Sequence, residues 1–237
     1  MKSINRPAMA ALTVLLLFPS ACTWVSGPRE PETNEMHRRF SRTVDIQTGV
    51  VLGDLSRVQT GATRLATYEE TGPLPSGSAS FPEEIRGYAS LIAQASDLDS
   101  VAENLGQIAA TCGSCHTATG GGPRFVVGSG PPTGKSQGDT MIRHLWAADR
   151  MWEGLVGPSE EAWNAGSQAL DRDWAGGRAL VQAAADSEAT IGYIGRIRAL
   201  GHQALDTRTP KARAAVYAEL LRTCNGCHTS MGIMAER

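Results

Sequence analysis

The sequence lacks a surplus of either charge and lacks strand-like patterns. Its 237 residues include 22 basic and 24 acidic side chains, which gives a formal net charge of −2. No basic cluster departs from this balance, which argues against nucleic acid or broad anionic surfaces as partners. No alternating polar and apolar stretch of useful length indicates a β-strand. We therefore expect an all-α chain with an ordinary solvated surface.

A long apolar run is missing everywhere except at the N-terminus. There, residues 8–18 are mostly apolar, follow Lys2 and Arg6, and precede small residues before Cys22. This pattern is typical of a secretory signal, and the run is too short for a comfortable membrane-spanning helix. The sequence predicts a signal peptide over residues 1–21 and an exported mature chain that is otherwise soluble.

The residues before Cys22 resemble a bacterial lipoprotein signal, in which the cysteine is lipidated and becomes the mature N-terminus. Pro19 stands where leucine is usual. Plain cleavage by the general signal peptidase is the alternative, although residues 18–21 make a poor small-x-small site. The resemblance implies lipidation of Cys22, a polar tether over residues 22–35, and a location on the periplasmic side of a bacterial membrane.

Cysteine is scarce, and its positions leave none for a structural disulfide. Of the five cysteines, four lie in the motifs CGSCH (112–116) and CNGCH (224–228), and the fifth is Cys22. An exported protein would ordinarily use its cysteines in disulfides. The positions of the cysteines therefore indicate that the four motif thiols do not form structural disulfides.

The pattern CxxCH is the attachment signature of c-type haem. Two thiols three residues apart reach the two vinyl groups on one porphyrin edge, and the adjacent histidine lies under the iron. On a helix these three positions share one face. The sequence predicts two c-type haems, with thioether bonds to the four motif cysteines and with the two motif histidines as proximal iron ligands. These residues are Cys112, Cys115 and His116, and Cys224, Cys227 and His228.

CxxC pairs have two other common uses in proteins. A single CxxCH can belong to a zinc site or to a thiol-redox motif. Two pairs can in principle hold one zinc ion, but the usual spacing between ligand pairs is far shorter than the 112 residues that separate these motifs. Export together with duplication favours haem.

The chain contains an internal repeat. The stretch that begins at Met36 aligns without gaps with the stretch that begins at Met141, an offset of 105 residues. The motifs are offset by 112, which predicts an insertion in the second copy near residues 171–177. The aligned positions include three glycine or leucine pairs and one valine pair, which are Gly49 and Gly154, Gly61 and Gly166, Leu65 and Leu170, and Val51 and Val156.

Each copy has the pattern of four helices. In the first copy, apolar residues at 101, 105 and 108 continue the spacing of Cys112 and Cys115, which places the motif in the last turns of a helix. Asp99 and Ser100 are suitable N-caps for that helix. The other predicted helices span residues 36–52, 54–68, 82–95, 140–155, 158–170, 187–205 and 210–228.

Four helices with CxxCH at the end of the fourth resemble the class II cytochromes c, the cytochrome c prime and c-556 type. The resemblance implies two tandem four-helix bundles over residues 36–118 and 139–237, joined by a linker over residues 119–138. The tandem arrangement departs from the usual single domain, as does the Gly-rich stretch after the first motif. A class I cytochrome is disfavoured because only nine residues follow His228, too few to reach the opposite face of a haem.

The first helix of a class II bundle covers the distal face of the haem, so its residues are the candidates for the sixth iron ligand. Only the methionines coincide between the copies, and we expect Met36 and Met141 to be the distal ligands. His37 or His144 is the alternative ligand. In a second alternative the methionines only contact the ring and the iron is five-coordinate.

Two arginines follow the motifs and are candidates for pairing with haem propionates, Arg124 and Arg237. Solvated surface arginine is the commoner case. Trp146, Trp152, Trp163 and Met151 are expected in the core.

The sequence predicts a carrier of single electrons between periplasmic redox proteins rather than an enzyme. Binding or sensing of a gas such as NO or CO is the first alternative and requires a five-coordinate iron. A di-haem enzyme such as a peroxidase is the second, and His144 beside an open second haem would be its acid–base group.

Overall fold

The computed structural model of the protein describes residues 30–69, 74–172 and 187–233, with residues 180 and 182, and side chains from residue 36 onward. Within these ranges the chain is helical and contains no strand, which confirms the all-α prediction. The helices are α1 (Glu30–Leu52), α2 (Leu55–Ala66), α3 (Phe81–Ala93), α4 (Leu98–Thr119), α5 (Gln137–Val156), α6 (Glu160–Arg172), α7 (Glu188–Leu205) and α8 (Pro210–Ser230).

Several helix ends follow local capping rules. The Asp54 and Thr209 side chains accept hydrogen bonds from backbone N–H groups at the starts of α2 and α8. Ser136 and Asp139 form a reciprocal capping box at the start of α5. Helix starts are therefore set largely by side chains that the sequence displays.

Two predicted starts were wrong. The N-cap of α4 is Asp97, whose carboxylate accepts the Ser100 N–H at 2.7 Å, and not Asp99 or Ser100. An N-cap carboxylate must lie two or three residues before the N–H it accepts, and Asp97 meets that condition for the first turn. Helix α1 begins at Glu30, inside the segment expected to be a tether.

The helices contact one another in two similar sequences. In the first half of the described chain, α1 packs on α2, α2 on α3, α3 on α4, and α4 on α1. In the second half, α5, α6, α7 and α8 repeat this cycle in the same order. Both cycles are the contacts of an up-and-down arrangement of helices.

The internal repeat has a structural counterpart at the crossing of the first two helices in each half. A Cβ on Gly49 would lie 2.6 Å from Val58 Cγ2, and a Cβ on Gly154 would lie 2.6 Å from the Trp163 backbone nitrogen. Val58 and Trp163 are themselves separated by 105 residues. Equivalent glycines therefore allow the same close approach of helices twice.

The two halves meet chiefly along α4 and α8, with further contacts of α1 on α8 and of α4 on α5. A Cβ on Gly106 would lie 2.7 Å from the Ala214 carbonyl oxygen, so these helices touch through their backbones. Gln47 Nε2 donates to the fully buried Tyr217 hydroxyl at 2.7 Å across the same boundary. Arg222 Nη2 donates to the Asp99 carbonyl at 2.9 Å.

A single cluster of buried apolar residues extends through both halves. Met151 and Trp163 are fully buried and Trp152 is 2% exposed, which confirms them as core residues. Trp146 is partly buried and packs against the same cluster. Among the described helices, none combines the length and the apolar character needed to cross a membrane.

Candidate cofactor sites at the two CxxCH motifs

Both motifs lie in the last turns of long helices, as the sequence predicts. The first ends three residues before the end of α4, and the second ends two residues before the end of α8. Their four cysteines are free thiols. Gly120 closes α4 with a φ of +65°, a left-handed conformation that suits glycine at this position.

The motif thiols are largely removed from water, and this keeps them protonated. Burial raises the pKa of Cys112 and of Cys224 to about 12, and the neighbouring motif cysteine adds to the rise in each case. Burial also raises the pKa of Cys115 and Cys227. A thiol–disulfide catalyst needs a thiolate with a depressed pKa. The thiol-redox interpretation is therefore not favoured.

The two histidines of the motifs are held by backbone carbonyls. His116 Nδ1 lies 2.6 Å from the Val156 carbonyl oxygen, and His228 Nδ1 lies 3.1 Å from the Val51 carbonyl oxygen. A carbonyl can only accept, so Nδ1 carries the proton in both rings. In the neutral form of each ring, the lone pair of Nε2 is then available to a metal ion.

The accepting carbonyls belong to helix ends. Val51 is in the last turn of α1 and Val156 is the last residue of α5. Carbonyls in the last turn of a helix have no partner within the helix, so they are available to an outside donor. The two valines are equivalent positions of the internal repeat.

The His228 ring is neutral at physiological pH. Burial lowers the pKa of His228, the hydrogen bond to the Val51 carbonyl opposes this, and the nearby His144 lowers it further. A neutral imidazole is the form that binds a metal ion.

A glycine-rich loop covers one side of His116. Gly122 has a φ of +102°, and a Cβ there would lie 2.5 Å from His116 Cγ. Farther along the loop, the Phe125 ring lies 6.5 Å from the Phe40 ring of α1, between centroids. The GGG stretch that departs from the class II pattern thus brings backbone against the histidine of the first motif.

The second motif has a different neighbour. The Tyr193 ring of α7 lies against Gly226, where a Cβ would come within 2.6 Å of the ring. Met231 Sδ lies 4.0 Å from Cys227 Sγ. The chain then turns back, so that the Ile233 N–H donates to the His228 carbonyl at 2.8 Å.

The first helix of each half approaches its own motif. The Arg39 guanidinium of α1 lies close enough to Cys112 and Cys115 to favour their thiolates. His144, the equivalent residue of α5, lies close enough to His228 to affect its charge. Equivalent positions of the repeat therefore border the two motifs, one with a permanent cation and one with an imidazole.

The four candidate distal ligands differ in their exposure to solvent. Met36 is 44% exposed and His37 is exposed near the start of the described part of α1. Met141 and His144 are half-buried on α5. Met36 and Met141 each lie about one helical turn before the residue that borders the motif. The choice among these four ligands stays a prediction.

Large apolar side chains are exposed on the elements that carry the candidate site residues. In the second half, Ile142 and Leu145 flank His144 on α5, Ile191 lies in the first turn of α7, and Ile233 follows α8. Thr190 and Ser230 lie 3.4 Å apart, so the start of α7 and the end of α8 are neighbours. Neutral thiols, an imidazole with a free Nε2 and exposed apolar side chains fit a flat, mostly apolar, metal-containing ring.

Of the three residues predicted to bind a haem propionate or a lipid, the structure describes one. Arg124 is exposed in the loop after α4. Arg237 and Cys22 lie outside the described residues, as does most of the predicted insertion near residues 171–177. Four residues near the motifs were not predicted from the sequence: Arg39, Gly122, Phe125 and Tyr193. Only Gly122 had a visible signal, the run of three glycines.

The two motifs lie toward opposite ends of α1. Arg39, in its N-terminal half, borders the first motif, and the Val51 carbonyl, at its end, accepts a hydrogen bond from His228. Arg39 and Val51 are twelve positions apart, which corresponds to about 18 Å of helix. Two CxxC pairs so arranged do not present four thiols to one zinc ion. Across the described part of the chain, no three His, Cys, Asp or Glu side chains are grouped as metal ligands.

Comparisons with known proteins give no relative of the chain. No family model, curated protein or solved structure matches it.

Proposed function

We infer that the protein is an exported di-haem c-type cytochrome that carries single electrons between periplasmic redox partners. The observation that carries this proposal is the state of the motif histidines: each donates its Nδ1–H to a carbonyl and keeps Nε2 free, beside two neutral thiols. This is the donor set that covalent haem attachment requires.

The chain's own residues have defined tasks in this proposal. Cys112 and Cys115 in the first site, and Cys224 and Cys227 in the second, would form the thioethers. His116 and His228 would be the proximal ligands, fixed in tautomer and orientation by their carbonyl partners. When bound, haem supplies one-electron chemistry at its iron. Cys112 and Cys224 each pack against the buried apolar cluster.

Two sites in one rigid molecule suit electron transfer. α1 and α5 each extend from one motif to the other, and the core that joins the halves is continuous. An electron accepted at one site can therefore pass to the other site within the same molecule. The electron donor and the electron acceptor can then bind different surfaces of the protein.

The cycles of helix contacts support an assignment of each half as a four-helix bundle of the class II cytochrome type. We further propose that residues 1–21 direct export and that a lipid on Cys22 tethers the protein to the periplasmic face of a bacterial membrane.

Absorption spectra of the purified, exported protein test the function. Ferric and ferrous spectra should be low-spin, contain a methionine-to-iron charge-transfer band, and be unchanged by carbon monoxide if Met36 and Met141 are the sixth ligands. A high-spin ferrous spectrum that shifts with carbon monoxide would replace electron transfer with gas binding or catalysis. In that case His144→Ala would be examined first, because His144 borders the second motif.

A further inference from the structure

The motif histidines do not bind carbonyls of their own half. His116, on α4 of the first half, binds the end of α5 in the second half, and His228, on α8 of the second half, binds the end of α1 in the first. The residues that accept are equivalent in the repeat, as are the residues that donate. The exchange is therefore reciprocal.

We propose that each half of the molecule tunes the haem of the other half, through the carbonyl that it offers to the other half's proximal histidine. This inference rests on the proposed haem function and extends it. Val51 and Val156 act as positioning residues through their backbone oxygens, and their side chains are not required.

The hydrogen bond to the carbonyl should shift the reduction potential of the haem in one direction. A carbonyl that accepts the Nδ1–H makes the imidazole a stronger electron donor at Nε2. A stronger donor stabilises ferric over ferrous iron and lowers the reduction potential. Both carbonyls lie at the negative end of a helix dipole, which strengthens the effect. Docking of the halves thus lowers both potentials, and separation raises them.

The interface between the halves has little room for adjustment. Gly113, inside the first motif, packs so closely on α5 that a Cβ would collide with the Leu155 carbonyl oxygen, one residue before Val156. Gly106 makes the same kind of contact between α4 and the Ala214 carbonyl of α8. Backbone contacts of this kind hold the carbonyls at fixed distances because neither partner can rotate away.

Gly113→Ala should alter the first site and leave the second site unchanged. The added methyl group pushes the end of α5 away from α4 and lengthens the bond from His116 to Val156, while the bond from His228 to Val51 lies at the other end of the interface. Asn225 occupies the equivalent position of the second motif, so a side chain is compatible with CxxCH there. Gly87→Ala, at an exposed position of α3 with open space around it, is the matched control.

Reduction potentials of the full-length holoprotein would be measured by spectroelectrochemical titration. One of the two potentials should rise in Gly113→Ala, the other should stay constant, and neither should change in Gly87→Ala. Equal shifts of both potentials, or no shift, would overturn the proposal. Haem content determined on the same samples reports separately on the proposed function.

A second measurement uses the unaltered protein and does not depend on a tolerated substitution. In the ¹⁵N-labelled, reduced protein, both histidine Nδ1–H protons should exchange slowly with solvent. Rapid exchange of either proton in the unaltered protein would show that its carbonyl bond does not form, and would overturn the proposal even with two haems bound.

Discussion

The first and second halves of the protein share their close helix crossings, but their cores contain different side chains. Helix crossings at Gly49 and Gly61 recur at Gly154 and Gly166, and leucines at 65 and 170 are both 2% exposed. Around these fixed points the core residues change size and polarity, with Val58 replaced by Trp163, Val101 by Arg213, Leu105 by Tyr217 and Gln47 by Trp152.

This difference separates two kinds of constraint. Replacing a glycine at a backbone contact lowers stability, because an added side chain meets backbone atoms that move only together with their helix. A core position can take another residue when its neighbours change in volume with it. Two of these replacements, Trp152 and Tyr217, lie at the boundary between the halves, with their rings 5.5 Å apart between centroids.

Removing one pair of motif thiols should produce the largest difference between the two halves, the loss of one covalent haem. Cys112→Ala with Cys115→Ala should leave one covalent haem per chain, as should Cys224→Ala with Cys227→Ala, because the two pairs lie on different helices, α4 and α8. Haem stained in denaturing gels and quantified by pyridine haemochrome would measure this. Loss of both haems from either double variant would mean that the sites do not load independently.

Equivalent glycines should differ in cost when replaced by alanine. Gly154→Ala meets the backbone of α6 and should lower the free energy of unfolding by about 1–3 kcal/mol. Gly49→Ala meets chiefly the Val58 side chain, which can move, and should cost less. Denaturant unfolding at constant haem content would compare both with Gly87→Ala, which should be neutral or stabilising by up to about 1 kcal/mol. Equal costs at both positions would contradict the distinction between backbone and side-chain contacts.

Tyr217 has leucine as its counterpart in the first half, and its hydroxyl is the added feature. Tyr217→Phe leaves the buried Gln47 amide without its acceptor at the boundary, and should lower the free energy of unfolding by about 1–3 kcal/mol. Denaturant unfolding would measure the change. Half-buried Tyr88→Phe on α3 is the control. A change no larger than that of the control would mean that the Gln47 bond adds nothing to the contact between the halves.

The smallest effect is expected at Glu160, which binds the buried Arg213 of the second half at 2.7 Å. Hydrogen bonding to Arg213 lowers the pKa of Glu160 below 4.5, with burial opposing. A depressed pKa stabilises the fold above the unfolded value and ceases to do so as pH falls through the folded value. Glu160→Gln should therefore lower stability by less than about 1 kcal/mol at pH 7, because the carboxylate is largely exposed.

Thermal unfolding across pH 3–7 would test this sign. The difference between Glu160→Gln and the unaltered protein should shrink below about pH 4. The neighbouring exposed Glu161→Gln makes the same charge change on α6 and should show no such pH dependence. A difference that is constant with pH would exclude the ion pair as its cause.

Much of the fold was predictable because it is local. Helical periodicity, prolines at first turns and glycines at turns located the helices, and the spacing of Val101, Leu105 and Ile108 placed the first motif at a helix end. The predicted start of α4 was wrong because three closely spaced residues are all of a type that can act as an N-cap: Asp97, Asp99 and Ser100. Nothing in the repeat pattern distinguished them.

The pairing of the histidines was not predictable, because it depends on how the halves dock. The alignment identified Val51 and Val156 as equivalent, but equivalence says nothing about which histidine each carbonyl meets. Burial of Tyr217 and the close contact at Gly113 are likewise properties of the interface. Sequence periodicity describes each helix relative to its own axis, and the docking of two four-helix halves involves all eight.

The most direct test of the haem assignment is the mass of the exported, denatured protein together with its pyridine haemochrome. We predict a mass greater than that of the polypeptide by two haem groups, with haem on the tryptic peptides that contain residues 112–116 and 224–228. A protein recovered with four unmodified motif cysteines and no haem, from cells able to attach haem to other c-type cytochromes, would contradict it.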